Sequence, residues 1–155
     1  MKRILILLFL LVYFNTKAQV LKIKDLVLML PYNNEKIDTY LSNKGFEFES
    51  IKNSDDLDQL TYLYKLSEWR REYFSKYDYF DGKKMISYCI FDQNAYSKIK
   101  QDIKVNGFIF IKQYNYQGKL VLEYKKGKTY LSVWSGKADG ETFNAYEINV
   151  SNREF

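Results

Sequence analysis

The sequence predicts an α+β domain in which one unit, a helical segment followed by an antiparallel β-meander, occurs twice with the helices on one face of the sheet. Three observations carry this reading. Ile37, Leu41, Gly45, Phe46 and Phe48 recur 62 positions later as Ile99, Ile103, Gly107, Phe108 and Phe110. Each set reads as an amphipathic helix that stops at glycine and enters a strand. Behind each lie runs of alternating side chains separated by turn residues, with six of the seven glycines at element ends or turns. A period near 60 is too long for a solenoid, and two copies are too few for a stacked array. The repeats span about 21–91 and 92–150, within one domain of residues 19–155.

The first unit opens with Leu21–Leu30, where Ile23, Leu26, Val27 and Leu30 form a helical stripe. Pro31 ends it. Asn33 or Asn34 caps a second helix through Lys44, with Ile37, Tyr40 and Leu41 on its apolar side. Gly45 supplies the left-handed residue of the C-terminal turn. In the second unit Asp92 or Asn94 caps one helix lined by Tyr96, Ile99 and Ile103, and Asn106-Gly107 ends it. Strands are expected at Phe46–Ile51, Leu60–Glu68, Glu72–Tyr79 and Lys84–Phe91, then at Phe108–Tyr116, Lys119–Lys125, Lys128–Trp134 and Thr142–Val150. Gln117-Gly118 and Lys126-Gly127 read as hairpin loops. Asp81-Gly82 and Asp139-Gly140 mark further turns. Polar, acidic Lys52–Gln59 reads as a loop. Further matches align Leu60–Lys65 with Leu120–Lys125, Tyr73–Tyr77 with Tyr130–Trp134, and Tyr88 and Ile90 with Tyr146 and Ile148.

Strand parity divides the side chains into two sets. Leu60, Tyr62, Tyr64 and Leu66, like Leu120, Leu122 and Tyr124, make the more apolar set and are assigned to the helices. Lys65 and Lys125 then face the other way, and Trp69 shares their parity. Leu131 and Val133 point inward, so Tyr130 and Trp134 point outward, and by the repeat so do Tyr73 and Tyr77. Trp69, Tyr73, Tyr77, Tyr130 and Trp134 are therefore the candidate binding residues. Tyr and Trp are favoured at binding surfaces because they join large contact area to a polar tip. A second explanation stays open. Tyr, Phe, Lys, Asn and Ile all use AT-rich codons, and rings of this kind also serve simply to pack under loops.

The first 18 residues read as a cleavable signal peptide. Lys2 and Arg3 precede an eleven-residue apolar run, Ile4–Phe14, and small residues at Thr16 and Ala18 fit cleavage before Gln19. The run falls short of the ~20 residues that span a bilayer, so no stable anchor is expected after cleavage. The expected location is periplasmic or extracellular. Cleavage removes Lys2, Arg3 and Lys17 and lowers the net charge from +5 to +2. A concentrated basic footprint is then missing, and no nucleic-acid partner is expected.

The chain has no histidine and one cysteine, Cys89. Ser-His-Asp and Cys-His catalysis are excluded, as are ordinary zinc sites. Cys89 sits in the strand-like run Met85–Phe91 and reads as a small apolar residue, the alternative being a reactive thiol or an inter-chain disulfide. Asp55, Asp56 and Asp58 lack the glycine and distal glutamate of an EF-hand loop. Asp78 and Asp81 before Gly82 read as a hairpin tip, with weak calcium binding or a carboxylate pair for hydrolysis as alternatives. Trp69-Arg70-Arg71 offers a guanidinium fork, but successive strand residues face opposite ways. Asn149-Val150-Ser151 fits the glycosylation acceptor pattern, which has no role in a chain that reads as bacterial. No cofactor and no metal site are expected.

The fragments Leu41-Ser42-Asn43-Lys44-Gly45-Phe46 and Tyr96-Ser97-Lys98-Ile99-Lys100 are similar to those of small, Tyr-rich exported bacterial proteins of unknown function. The layout also resembles the beta-lactamase inhibitory protein family, a tandem repeat of helical segment and antiparallel sheet whose aromatic concave surface grips an enzyme. That family relies on disulfides, which one cysteine cannot form, and no inhibitor-specific motif carries over. The export signal, the missing catalytic residues and the surplus of aromatics on a one-sided sheet point to a non-enzymatic binding protein, an inhibitor or envelope adaptor that grips a protein partner through its open sheet face. The alternatives are a carbohydrate-binding module and, third, a carboxylate-dependent hydrolase.

Overall fold

The computed structural model describes residues 21–65, 71–138, 140 and 142–155. The signal segment, Leu66, Trp69, Arg70 and Asp139 lie outside the described residues. Three short helices form where the sequence places apolar stripes. Helix α1 (Ile23–Met29) starts with the Lys22 N–H donating to Asp25 Oδ2 at 2.9 Å and stops before Pro31. Helix α2 (Asn34–Ser42) is capped by Asn33, whose Oδ1 accepts from the Lys36 N–H at 3.0 Å. Helix α3 (Gln93–Val105) is capped by Asp92, which accepts from the Ala95 N–H at 2.7 Å. Among the described residues, no helix is long and apolar enough to cross a membrane.

Helices α2 and α3 end in the same way. Gly45 (φ +83°) and Gly107 (φ +75°) take the left-handed conformation. Phe46 N–H reaches Leu41 O at 3.0 Å, and Phe108 N–H reaches Ile103 O at 3.3 Å. These are Schellman closures, with the phenylalanine buried against the preceding turn.

Eight strands follow: β1 (Glu47–Asn53), β2 (Leu57–Lys65), β3 (Arg71–Tyr79), β4 (Lys84–Ile90), β5 (Ile109–Tyr116), β6 (Lys119–Lys126), β7 (Thr129–Lys137) and β8 (Asn144–Ser151). They form one antiparallel sheet in the order β1-β2-β3-β4-β8-β7-β6-β5. The two meanders are joined at the centre by β4 and β8, which pair Tyr88 with Ile148, and β1 and β5 are the two edges. Both edges carry a bulge at the matching place, between Phe48 and Ser50 and between Phe110 and Lys112.

This corrects the α+β expectation. Among the described residues 51% are strand and 23% helix, so the molecule is predominantly β. One reason is visible at Lys52–Gln59, which is not a loop. Lys52 pairs with Gln59 and Asn53 with Asp58, and only Ser54–Asp56 turn. Ser54 makes the tight turn possible, its hydroxyl accepting from the Leu57 N–H at 3.3 Å. The repeat alignment also shifts. Phe48 pairs with Tyr62 and Phe110 with Tyr124, which matches Tyr62 to Tyr124 rather than Tyr64 to Tyr124. Phe74 pairs with Tyr88 and Leu131 with Val150, so Tyr88 corresponds to Val150 rather than Tyr146. The match of Tyr73–Tyr77 to Tyr130–Trp134 agrees with the ladders.

One parity of the sheet joins the helices in a single core. Ile23, Leu26, Ile37, Leu41 and Ile103 cluster with Tyr62, Phe74, Tyr88, Leu131 and Ile148. Buried polar side chains sit at this level, among them Tyr88, Glu72 and Lys76. Tyr88 donates to the Glu72 carboxylate and accepts from the Leu21 N–H at 3.3 Å. Lys76 is paired with Asp78 and donates to Asn34 Oδ1 at 3.1 Å.

Candidate functional site

The candidate site is the sheet face of opposite parity, away from that core. It is built in rows that cross the strands, because residues paired across antiparallel ladders point the same way. On one half of the central row, Thr61, Ser75 and Ser87 pair in sequence across β2, β3 and β4. On the other half, Asn149, Ser132, Glu123 and Lys112 continue across β8, β7, β6 and β5. Seven adjacent strands thus contribute a hydrophilic residue to one transverse stripe.

Aromatic rows flank this stripe on both sides. On one side Tyr73, Cys89, Glu147 and Trp134 are consecutive neighbours across β3, β4, β8 and β7. On the other side the order is Tyr77, Met85, Ser151 and Tyr130. Four of the five residues selected from the sequence therefore lie on one face, as parity predicted, and Trp69 lies outside the described residues. All four rings are half-buried, while Ser132 and Ser151 between them are 1% and 0% exposed. Trp134 leans over the stripe, and Tyr77 is held by a neighbour in its own row. Trp134 Nε1–H donates to Ser132 Oγ at 3.1 Å, and Gln59 Nε2 donates to the Tyr77 hydroxyl at 3.3 Å.

The floor is hydrogen-bonded, with one exception. Thr61 and Ser75 hydroxyls are 3.3 Å apart, and Ser87 Oγ donates to Glu147 Oε1 at 2.9 Å. Glu123, 3% exposed, accepts from the Tyr114 hydroxyl at 2.7 Å and lies 3.3 Å from Lys112 Nζ. Asn149 is 5% exposed, and its Oδ1 is fully buried without a hydrogen-bond partner among the described residues. Its place in mid-strand also removes the glycosylation acceptor noted in the sequence.

No family model matches the chain, and no curated protein or solved structure is significantly similar to it.

The electrostatics sort by position. Glu147, on β8, occupies the middle of the face, while Glu123 lies on β6 beside the edge, paired with Lys112, and Lys65, Arg71 and Lys125 stand toward the margins. Lys125 Nζ lies 4.8 Å from the Tyr130 ring centroid, and this hydroxyl is the first cause of the raised Lys125 pKa. Burial, reinforced by the Glu147 charge, pushes the Cys89 thiol up to about 12. Cys89 is thus a neutral thiol at physiological pH, half-buried rather than fully buried. Burial raises the Tyr77 hydroxyl too, and Glu147 adds to it.

The sequence reading missed several members of this face. Tyr114 and Tyr116 stand opposite Val121 and Lys119, and the Tyr116 ring meets Trp134 edge-on at 5.7 Å. The signal was present in the Gln117-Gly118 loop. Both residues have positive φ, at 48° and 75°, so the turn is type I′ and sets the hairpin register. Phe91 joins Tyr73 at 6.4 Å and Phe143 at 5.4 Å. Glu147 and Asn149 were also missed. The carboxylates weighed for hydrolysis do not pair, since Asp78 is held by Lys76 on the core side and Asp81 by Arg153 at 2.8 Å.

Proposed function

We propose that this chain is an exported, non-enzymatic binding protein of the periplasm or cell exterior. It acts as an inhibitor or an envelope adaptor and grips a protein partner through the aromatic face of its sheet. The observation that carries this reading is the pair of aromatic rows, Tyr73 with Trp134 and Tyr77 with Tyr130, on either side of a polar stripe. Exposed rings extend the face at its margin, with Phe143 47% and Tyr116 49% exposed. Amphipathic rings around a hydrogen-bonding floor are the composition of protein-binding hot spots. A carbohydrate platform would present its rings in one plane. Here the neighbouring rings meet edge-on, with interplanar angles of 78°, 88° and 87°.

The double variant Tyr130→Ala/Trp134→Ala tests this reading. Neither ring belongs to the helix-side core, so circular dichroism should stay native-like, while the unfolding transition should fall because two half-buried rings are lost. Affinity for the captured envelope partner should fall at least about a hundredfold, the loss of two hot-spot residues. Unchanged affinity in the folded double variant would remove the aromatic face from the account.

A further inference from the structure

We propose that the centre of the aromatic face is a socket for one basic group of the partner, an ammonium or guanidinium received by Glu147 and Asn149 Oδ1. The inference rests on the binding reading above and names what the face recognises.

Three observations lead to it. Asn149 Oδ1 is a buried acceptor with no donor among the described residues. A buried acceptor left unmet costs stability, and a partner that brings a donor recovers it. Glu147 lies two residues away on β8 with the same parity, and accepts the Ser87 hydroxyl at one oxygen. A carboxylate has room for further donors. The two acceptors are thus adjacent in mid-sheet, and both call for N–H. Trp134 is the cross-strand neighbour of Glu147, and Ser132, to which the indole donates, is the neighbour of Asn149. The half-buried indole therefore covers the approach, and its face attracts a cation once it turns aside.

Charge complementarity fixes the sign. Glu147 is the carboxylate at the centre of the face, while Lys65, Arg71, Lys112 and Lys125 stand toward its margins and Glu123, on β6 beside the edge strand, is paired with Lys112. Lys119, from the row beyond Trp134, adds a positive charge that is felt at Cys89. The matching surface is a basic side chain ringed by acidic ones.

The test is a two-dimensional NMR titration of the isotope-labelled protein with peptides of the form Ac-Glu-Gly-X-Gly-Glu-NH2, X being Arg, Lys, Gln or Glu. The Arg and Lys peptides should shift the Trp134 indole and Asn149 amide resonances saturably, with affinity at least about tenfold above the Gln peptide. Glu147→Gln and Asn149→Ala should each remove most of that preference while leaving the rest of the spectrum in place. Equal affinity for Arg and Gln, or no effect of Glu147→Gln, would overturn the socket. If such binding still required Trp134, the protein-binding reading would survive. Absence of saturable shifts from any peptide, with saturable shifts on this face from glycans, would overturn both. A variant Asn149→Leu that gained stability and kept the Arg preference would show that Oδ1 faces only trapped water, which also overturns the socket.

Discussion

Glu72 shows how one buried residue contributes to the pH response of the fold. It is 2% exposed, and burial raises its carboxyl above the ordinary value, opposed by the Tyr88 hydroxyl and reinforced by Asp92. The folded-state pKa lies above the unfolded one. The fold is therefore least burdened below the unfolded value, near 4.5, and loses stability as pH rises through the raised value. Glu72→Gln removes that titration. Its unfolding free energy should match the parent's at pH 4 and exceed it as pH rises until Glu72 of the parent is ionised, by ~1.4 kcal/mol for each unit of raising. A difference that stays constant across this range would show that Glu72 is not the titrating group. Side chains of this kind were invisible in the sequence, where Glu72 is one of many strand carboxylates. The outward parity of Tyr73, Tyr77, Tyr130 and Trp134 was legible, because a strand has period two and each run has an unmistakable apolar set. Asn149 was not legible. Its row exists only because β8 pairs with β4, a contact between residues some sixty positions apart.

At the scale of the element, the two helix ends make a natural comparison. Gly45 and Gly107 share a left-handed backbone, but their surroundings differ. A Cβ at Gly45 would come within 3.0 Å of the Tyr64 ring, whereas one at Gly107 would meet nothing within 4 Å. Gly107→Ala should cost about 1 kcal/mol, the strain of positive φ alone. Gly45→Ala should cost about 1 kcal/mol more, because Tyr64 must also give way. Urea denaturation of both variants checks the order, and equal losses would contradict it. The glycines and the strands behind them were legible because a helix stop has a strict chemical requirement. The first edge strand was less so. Lys52 and Asn53 are exposed edge residues with no core to face, so their composition is that of a loop. The helices and strands were readable one by one, but their union into a single eight-stranded sheet through the β4–β8 pairing was not, and that sheet is what makes the molecule predominantly β.

For the molecule as a whole, the two meanders share one sheet whose parities divide the labour. One parity supplies Tyr62, Phe74, Tyr88 and Ile148 to the core that the helices complete. The other presents rings, a polar stripe and a central carboxylate, Glu147. The central claim is that this second face is where a partner binds. Site-specific photocrosslinking measures it most directly. A benzophenone side chain is placed at Tyr130 on the aromatic face, or at Leu28, which is 49% exposed on α1. Both proteins are irradiated with the captured partner. The account predicts cross-links from Tyr130 and none from Leu28. Cross-links from Leu28 with none from Tyr130 would contradict it.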